Sequence, residues 1–533
     1  MITVWSVSSL EKIYPDTEAP KGAEPTALVT LSAAKGEAEG AQLVLRTEDE
    51  AIDIEAVETS PLHMEGTDID LKVRLVDYVE VTEASHGDGE AGLQPDPLLP
   101  FRPFRLEGTR SLWVDARVPR DAKAGLYSGS VTLKGKARKI NAKVQLRVYD
   151  FALPFPPKLV TAFGLYEKPM RDMYGNRYDE MLQRYRENLW AHRITHLAFP
   201  ATDIPVPDIT VRNDGEVELD YARFDEAINE NIRRGMNALE VPLPARYNKK
   251  EKKLESEYGL PTIEKIMTAM QKHLEDKGWV DMAYFFLVDE PGRDDITPFK
   301  ELQEMTRRAA PKIRRRLDMG YGAYGAKPGQ SIDKAQYRKL AGLVEIWVPH
   351  IDCVDQEFLE EEQEKGNEVW WYICCSAKHP YPNCLIDYPV LDSRVPFWMM
   401  YDAGVTGYAY WTVNWWNEDP FANPLSYAKA NGDGMFIYPG KDGPIDSIRW
   451  EATRDGFEDF EYLALLAEKI KAAEVLGLSG RILTEAKEAL ANVKNVASSR
   501  TEYAQDPSIL LNARENVAVA IQKLSRTITS GKG

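Results

Sequence analysis

Ala283-Tyr284-Phe285-Phe286-Leu287-Val288-Asp289-Glu290-Pro291 is the stretch on which the reading of this chain turns. An unbroken apolar run that ends in two carboxylates and a proline reads as a strand buried on both faces, the kind found in parallel sheets covered by helices. A carboxylate pair at the carboxyl end of such a strand stands where barrel enzymes place their chemistry. Burying two charges there is costly unless they are hydrogen-bonded, shifted in pKa or open to a wet cleft, and all three conditions describe catalytic acids. The plainer alternative is that the pair caps the following helix or forms ion pairs with Arg293 or a neighbouring strand.

Outward from this strand, the chain alternates strand and helix. The other strand candidates are Val160 to Tyr166, Ile194 to Phe199, Ala238 to Leu243, Arg315 to Met319, Val344 to Pro349, Glu368 to Cys375 and Gly407 to Val413. Between them fall helical stretches at Asp179 to Ala191, Phe224 to Arg234, Thr262 to Asp276, Pro298 to Ala310, Asp333 to Ala341, Gln356 to Lys365 and Asp392 to Ala403. Eight such units in a stretch of barrel length predict an α/β fold, a (β/α)8 TIM barrel over 156–443. An open doubly wound sheet is the alternative, but it brings a glycine-rich phosphate turn after its first strand, and Phe163-Gly164-Leu165-Tyr166 supplies none.

Residues 1–155 read as an N-terminal β-sandwich, with short strands at Ala41 to Arg46, Leu71 to Val79, Ser111 to Val118, Gly125 to Leu133 and Lys143 to Tyr149. The cluster Leu153-Pro154-Phe155-Pro156-Pro157 continues neither ladder nor helix and marks the boundary. Residues 444–533 read as a C-terminal helical extension, opening with Ser447 as N-cap and followed by helices near Gly480 to Val493 and Pro507 to Ser525.

Composition narrows the function classes. A formal charge of −18 repels phosphate backbones and anionic lipid, so neither nucleic acid nor membrane is an expected partner. Met1 to Pro15 contain no basic start followed by an apolar core, and four cysteines (Cys353, Cys374, Cys375, Cys384) are too few for a disulfide scaffold. The expectation is a soluble, cytoplasmic chain, and a homo-oligomer is compatible with it. Twelve Trp and 25 Tyr fit a cleft that stacks sugar rings, and they also fit a large core. There is no His-Glu-x-x-His, paired Cys-x-x-Cys or Gly-x-Ser-x-Gly motif, and the adjacent Cys374-Cys375 read as packing.

The segment Phe286 to Pro291, the run Trp370-Trp371-Tyr372-Ile373-Cys374 and the later Tyr410-Trp411 resemble glycoside hydrolase family 123. So do Gly432-Asp433-Gly434, Tyr438-Pro439-Gly440 and the stretch from Arg449 to Leu463, which is the most specific part. The resemblance implies an exo-acting β-N-acetylgalactosaminidase with a retaining, substrate-assisted mechanism, no metal or organic cofactor, and a carbohydrate ending in β-linked N-acetylgalactosamine as partner. Ordinary retaining glycosidases hold two carboxyls about 5 to 5.5 Å apart across the scissile bond, and adjacent residues do not easily flank a sugar that way. They can serve one substrate if the nucleophile is the sugar's own 2-acetamido oxygen. Glu290 then protonates the leaving oxygen and Asp289 accepts from the acetamido N–H. Neighbouring strand residues point to opposite faces, so a twist or break at Pro291 is required.

Trp371 and Tyr372 close the seventh strand; Tyr410, Trp411, Asn414, Trp415 and Trp416 close the eighth. Tyr372 is the choice to complete the amide clamp, and the alternative for all of these aromatics is that they fill barrel layers. His350 and Asp352 follow the sixth strand and are candidates to bind a hydroxyl. Asp387 and Arg394 flank the Tyr388-Pro389 turn, placed to hold a hydroxyl or each other. Arg449, Arg454, Asp455, Glu458 and Asp459 read as a helix-face network tying the extension to the barrel. Two rival functions remain: a β-N-acetylhexosaminidase or other retaining glycosidase with Asp352 or Asp318 as second carboxylate, and a non-catalytic carbohydrate-binding protein.

Overall fold

The computed structural model describes residues 2–22, 27–136, 138–198, 203–292, 295–320 and 335–530. Phe199 of the second strand candidate, Asp333 of the fifth-unit helix and Arg293 lie outside them.

The first 152 residues build two five-stranded sheets. In one, Ile2–Ser8, Ala38–Ile54, Phe104–Arg117, Leu71–Val81 and Gly92–Pro100 lie side by side in that order, all antiparallel. In the other the order is Ala27–Lys35, Lys139–Ala152, Gly125–Lys134, Ala56–Met64 and Thr67–Ile69, with the first pair parallel. Alternate residues such as Val29 and Leu31, Leu43 and Leu45, Leu112 and Val114, and Val144 and Leu146 meet in one core between the sheets, as period-two patterning requires.

Eight parallel strands follow: Val160–Phe163, His196–Leu197, Leu239–Glu240, Ala283–Phe285, Arg314–Met319, Ile346–Pro349, Glu368–Tyr372 and Gly407–Tyr410. The first pairs with the second and also with the eighth, and the ladder runs on to the third, so the sheet is a nearly closed barrel in which, among the described residues, only the second and third strands are not paired. The strands are shorter than the apolar runs that encode them. The apolar character continues past the last ladder bond because the connecting segments also line the barrel mouth.

The lumen is filled asymmetrically. Ala162, Ala198, Ala238 and Ala409 face inward from the first, second, third and eighth strands, while Tyr284, Phe286, Trp370 and Tyr372 face inward from the fourth and seventh. Small residues opposite large ones leave room on one side, and the hollow described below opens there.

The C-terminal part is helical: Ile448–Val475, Arg481–Ala491, Val493–Val496 and Pro507–Ser530. The Ser447 hydroxyl accepts from the Trp450 N–H at 3.1 Å and caps the first of these. The charges of this helix are buried rather than displayed on a face, and they reach beyond the barrel. Arg454 pairs with Glu451 and Asp455, Arg394 of the barrel reaches Asp455 at 3.1 Å and Asp459 at 2.7 Å, and Arg193 reaches Glu458 at 2.9 Å. From the sandwich, Arg74 contacts Glu451 at 2.6 Å and Asp96 contacts Arg449 at 2.9 Å. The helix is therefore the common contact of sandwich and barrel. No helix among the described residues is long and apolar enough to cross a membrane.

Candidate active site

The fourth strand ends its ladder at Phe285, and the chain bends at Asp289 and Glu290. Glu290 adopts φ of +42°, a left-handed conformation that costs a non-glycine residue energy and reverses the alternation of side chains. The required break thus falls at Glu290 itself, one residue before Pro291. Its consequence is that Asp289 and Glu290, neighbours in the chain, line the same cavity of about 300 Å³ at the carboxyl end of the barrel. Ala162, Ala198 and Ala409 lie beneath it, and Tyr166, Trp411, Trp415 and Tyr427 stand around it.

Glu290 is partly buried, and burial together with the charge of Asp289 pushes its pKa up, while a hydrogen bond from Tyr372 restrains the rise. The Tyr372 hydroxyl donates to Glu290 Oε1, and burial keeps that phenol protonated by raising its pKa well above 10. Gly320 backs both groups: a Cβ there would strike the Glu290 carboxylate and the Tyr372 oxygen. Asp289 is more open, with its side chain 47% exposed and Lys249 Nζ at 3.7 Å.

The floor is a polar network. Arg316 holds Asp318 through two bonds of 2.7 and 2.6 Å, and its guanidinium lies 4.5 Å over the Phe286 ring. Tyr284 Oη lies 2.8 Å from His196 Nε2 and donates to Glu240 at 3.3 Å. Asp318 lines the cavity but is locked by Arg316, and Asp352 pairs with His350 outside it.

Several candidates from the sequence stand elsewhere. In the seventh strand Trp370 and Tyr372 face the lumen, so alternation sends Trp371 outward among the helices beside Met399 and Tyr381. His350 packs edge-on against Tyr372 with ring centres 4.9 Å apart, and its Nε2 accepts from the Cys374 N–H at 3.1 Å. It supports Tyr372 and is absent from the cavity wall. Asn414 brackets the backbone of Tyr166, accepting from its N–H at 2.9 Å and donating to its carbonyl at 2.8 Å. Asp387 and Arg394 hold neither a cleft nor each other. Asp387 accepts from Ser85 N at 2.6 Å and Ser85 Oγ at 2.8 Å, and Arg394 is wholly buried against Asp455 and Asp459. Both positions are polar side chains consumed by domain contacts.

One wall residue had no chemical role in the sequence reading. Asp433 is fully buried on the cavity wall, its Oδ1 accepts from Tyr410 Oη at 3.1 Å, and its Oδ2 has no hydrogen-bond partner. Trp411 Nε1 points toward this carboxylate without completing a hydrogen bond. Burial pushes the Asp433 pKa up to about 7. The clue in the sequence is its setting between Gly432 and Gly434; a Cβ at Gly434 would collide with the Trp411 ring.

Among the described residues two clusters carry metal-ligating residue types, His350 with Asp352 and Cys353, and His192 with Asp446 and Glu451. Both ring nitrogens of His350 are committed to protein partners, and Asp446 and Glu451 are neutralised by Arg74, so neither donor set is arranged for a cation.

A parallel barrel with paired carboxylates at the end of its fourth strand and aromatic walls around a small hollow defines a glycosidase architecture. The model of the glycoside hydrolase 123 catalytic domain matches residues 180–466, and that of the glycoside hydrolase 123 N-terminal domain matches residues 7–135. The chain belongs to glycoside hydrolase family 123. Among solved structures, a family 123 glycoside hydrolase from Clostridium perfringens, studied for glycolipid glycan hydrolysis, is 15% identical, with 100% of each chain covered and a TM-score of 0.68. It shares the fold. A GH10 xylanase with an Ig-like domain from termite gut (12% identity, 81% of this chain and 99% of the other) overlaps at a TM-score of only 0.33. An endo-β-1,4-mannanase from Thermotoga petrophila (14%, 57% and 77%) has the same score. No curated protein matches.

Proposed function

We propose that this glycosidase is an exo-acting β-N-acetylgalactosaminidase that works with retention, the substrate's 2-acetamido oxygen serving as nucleophile. The observation that carries the reading is that two chain-adjacent carboxylates line one cavity while Asp318 and Asp352, the candidate second carboxylates, are held by Arg316 and His350. Glu290, whose pKa is raised by burial and by the charge of Asp289, gives its proton to the leaving oxygen. Asp289 accepts from the acetamido N–H and stabilises the positive charge of the oxazolinium intermediate. Tyr372 is the donor to the acetamido carbonyl, turning from Glu290 when substrate enters. After the leaving group departs, Glu290 as carboxylate draws a proton from the incoming water, which opens the bicyclic intermediate.

A second reading has Asp433, a residue of the cavity wall with one buried oxygen lacking a hydrogen-bond partner, as covalent nucleophile. Its pKa of about 7 counts against it, because a nucleophilic carboxylate must be ionised. Substrate structure separates the two. Hydrolysis of an aryl β-N-acetylgalactosaminide, inhibited by a galacto-configured thiazoline and lost with the 2-hydroxy sugar, is the expected result. Equal turnover of the 2-hydroxy sugar would reject acetamido participation, and turnover of neither sugar would leave a binding protein.

A further inference from the structure

Asp289 stands between two cavities. Beyond it, sharing Tyr166, Phe286 and Asp289 as common wall, lies a second hollow of about 840 Å³. Pro242 and Leu243, after the third barrel strand, and Leu287 give it an apolar side. A hairpin of Arg246–Asn248 and Lys253–Glu255 overhangs it, and Arg246, Lys249 and Lys250 line the opening. The Tyr247 hydroxyl on the same wall is buried without a hydrogen-bond partner.

The charge here runs against the rest of the molecule. In a chain of formal charge −18, Arg246, Lys249, Lys250, Lys252 and Lys253 fall within eight residues that contain one acid, Glu251. Lys249 faces Asp289, and Glu255, opposite Arg246 in the hairpin, accepts from Asn248 Nδ2 at 2.9 Å. Among the described residues no carboxylate pairs with Arg246 or Lys250, so their field is directed at whatever fills the hollow. Of the acids that line it, Glu240 lies deep and takes the Tyr284 hydroxyl.

We infer that the second cavity seats the leaving saccharide and is built for a sugar bearing a carboxylate or a sulfate, so that the preferred substrate ends in N-acetylgalactosamine β-linked to an anionic residue. This rests on the exo reading above: if the smaller hollow takes the terminal ring, only the leaving group can occupy the space adjoining it. The apolar side then packs a pyranose face, and the cationic rim takes its negative group through charge-assisted bonds.

The test compares kcat/KM for N-acetylgalactosamine β-linked to glucuronic acid, to galactose 6-sulfate and to unmodified galactose, at about 20 mM and about 300 mM salt. We expect one or both anionic disaccharides to be favoured about tenfold at low salt, with the margin shrinking at high salt. Whichever is favoured identifies the group. In the double variant Arg246→Gln, Lys250→Gln the ratio of anionic to neutral kcat/KM should fall toward unity, with a melting temperature like wild type. An enzyme that hydrolyses the aryl N-acetylgalactosaminide but treats the three disaccharides alike overturns the anionic site alone. One that hydrolyses neither the aryl glycoside nor any of the disaccharides overturns the parent reading and this inference with it.

Discussion

Around the helix Ile448–Val475, buried acids are neutralised: Glu451, Asp455, Glu458 and Asp459 each face an arginine, contributed variously by the sandwich, the barrel and the helix itself. At the barrel mouth the same residue types are left incompletely satisfied. Glu290 carries a raised pKa on a strained backbone, and Asp433 has an oxygen with no partner. Asp433 at the mouth is as deeply buried as the helix acids, so depth alone does not separate structure from chemistry. What separates them is the counter-ion: each of those helix acids stands beside an arginine and the pair fixes how domains meet, whereas among the described residues no lysine or arginine forms an ion pair with Glu290 or Asp433.

Three substitutions probe this contrast. The largest effect is expected from Glu290→Gln, which should lower kcat on a glycoside with a poor leaving group by about 10⁴-fold while leaving the melting temperature within a few degrees of wild type. The wild-type rate should fall as pH rises through the elevated pKa of Glu290, since the acid form is the proton donor, and this limb should lie above the ordinary carboxylate range. Next is Arg394→Met, which strips a cation from Asp455 and Asp459 and should cost about 3 to 5 kcal/mol of stability in denaturant unfolding. Little loss of stability would show that the junction is held by packing instead.

Asp433→Asn should show the smallest effect, and the most telling. If Oδ2 accepts from a substrate hydroxyl, kcat/KM falls about 10- to 100-fold. Stability should move the other way. The folded pKa of about 7 lies above the unfolded value, so the native state holds the proton more tightly and stability declines as pH rises from about 4 to about 7. The variant escapes that decline. It should therefore match wild type near pH 4 and exceed it at pH 8 by up to roughly 4 kcal/mol, read from melting curves at both pH values.

By itself the sequence determined the eight-unit barrel, the sandwich before it, the helices after it, and the rim position of Asp289 and Glu290. Each of these is written in local periodicity: an apolar run ending in acids and a proline is legible without knowing its neighbours. Which side of each strand faces the lumen was decided only by the tertiary structure. Barrel strands are apolar on both faces, so Trp370, Trp371 and Tyr372 carry no mark of parity, and Trp371 turned out to face the helices while its two neighbours face in. The fates of Asp387 and Arg394 depended on partners more than 60 residues away in the chain, as the separations of 302 and 65 residues to Ser85 and Asp459 indicate. Asp433 was brought to the cavity by the loop after the eighth strand, and Glu290 joined Asp289 there through one left-handed backbone angle. Periodicity records what a residue's immediate neighbours require. Charge satisfaction and side-chain direction are settled by contacts that form only when distant segments close on one another.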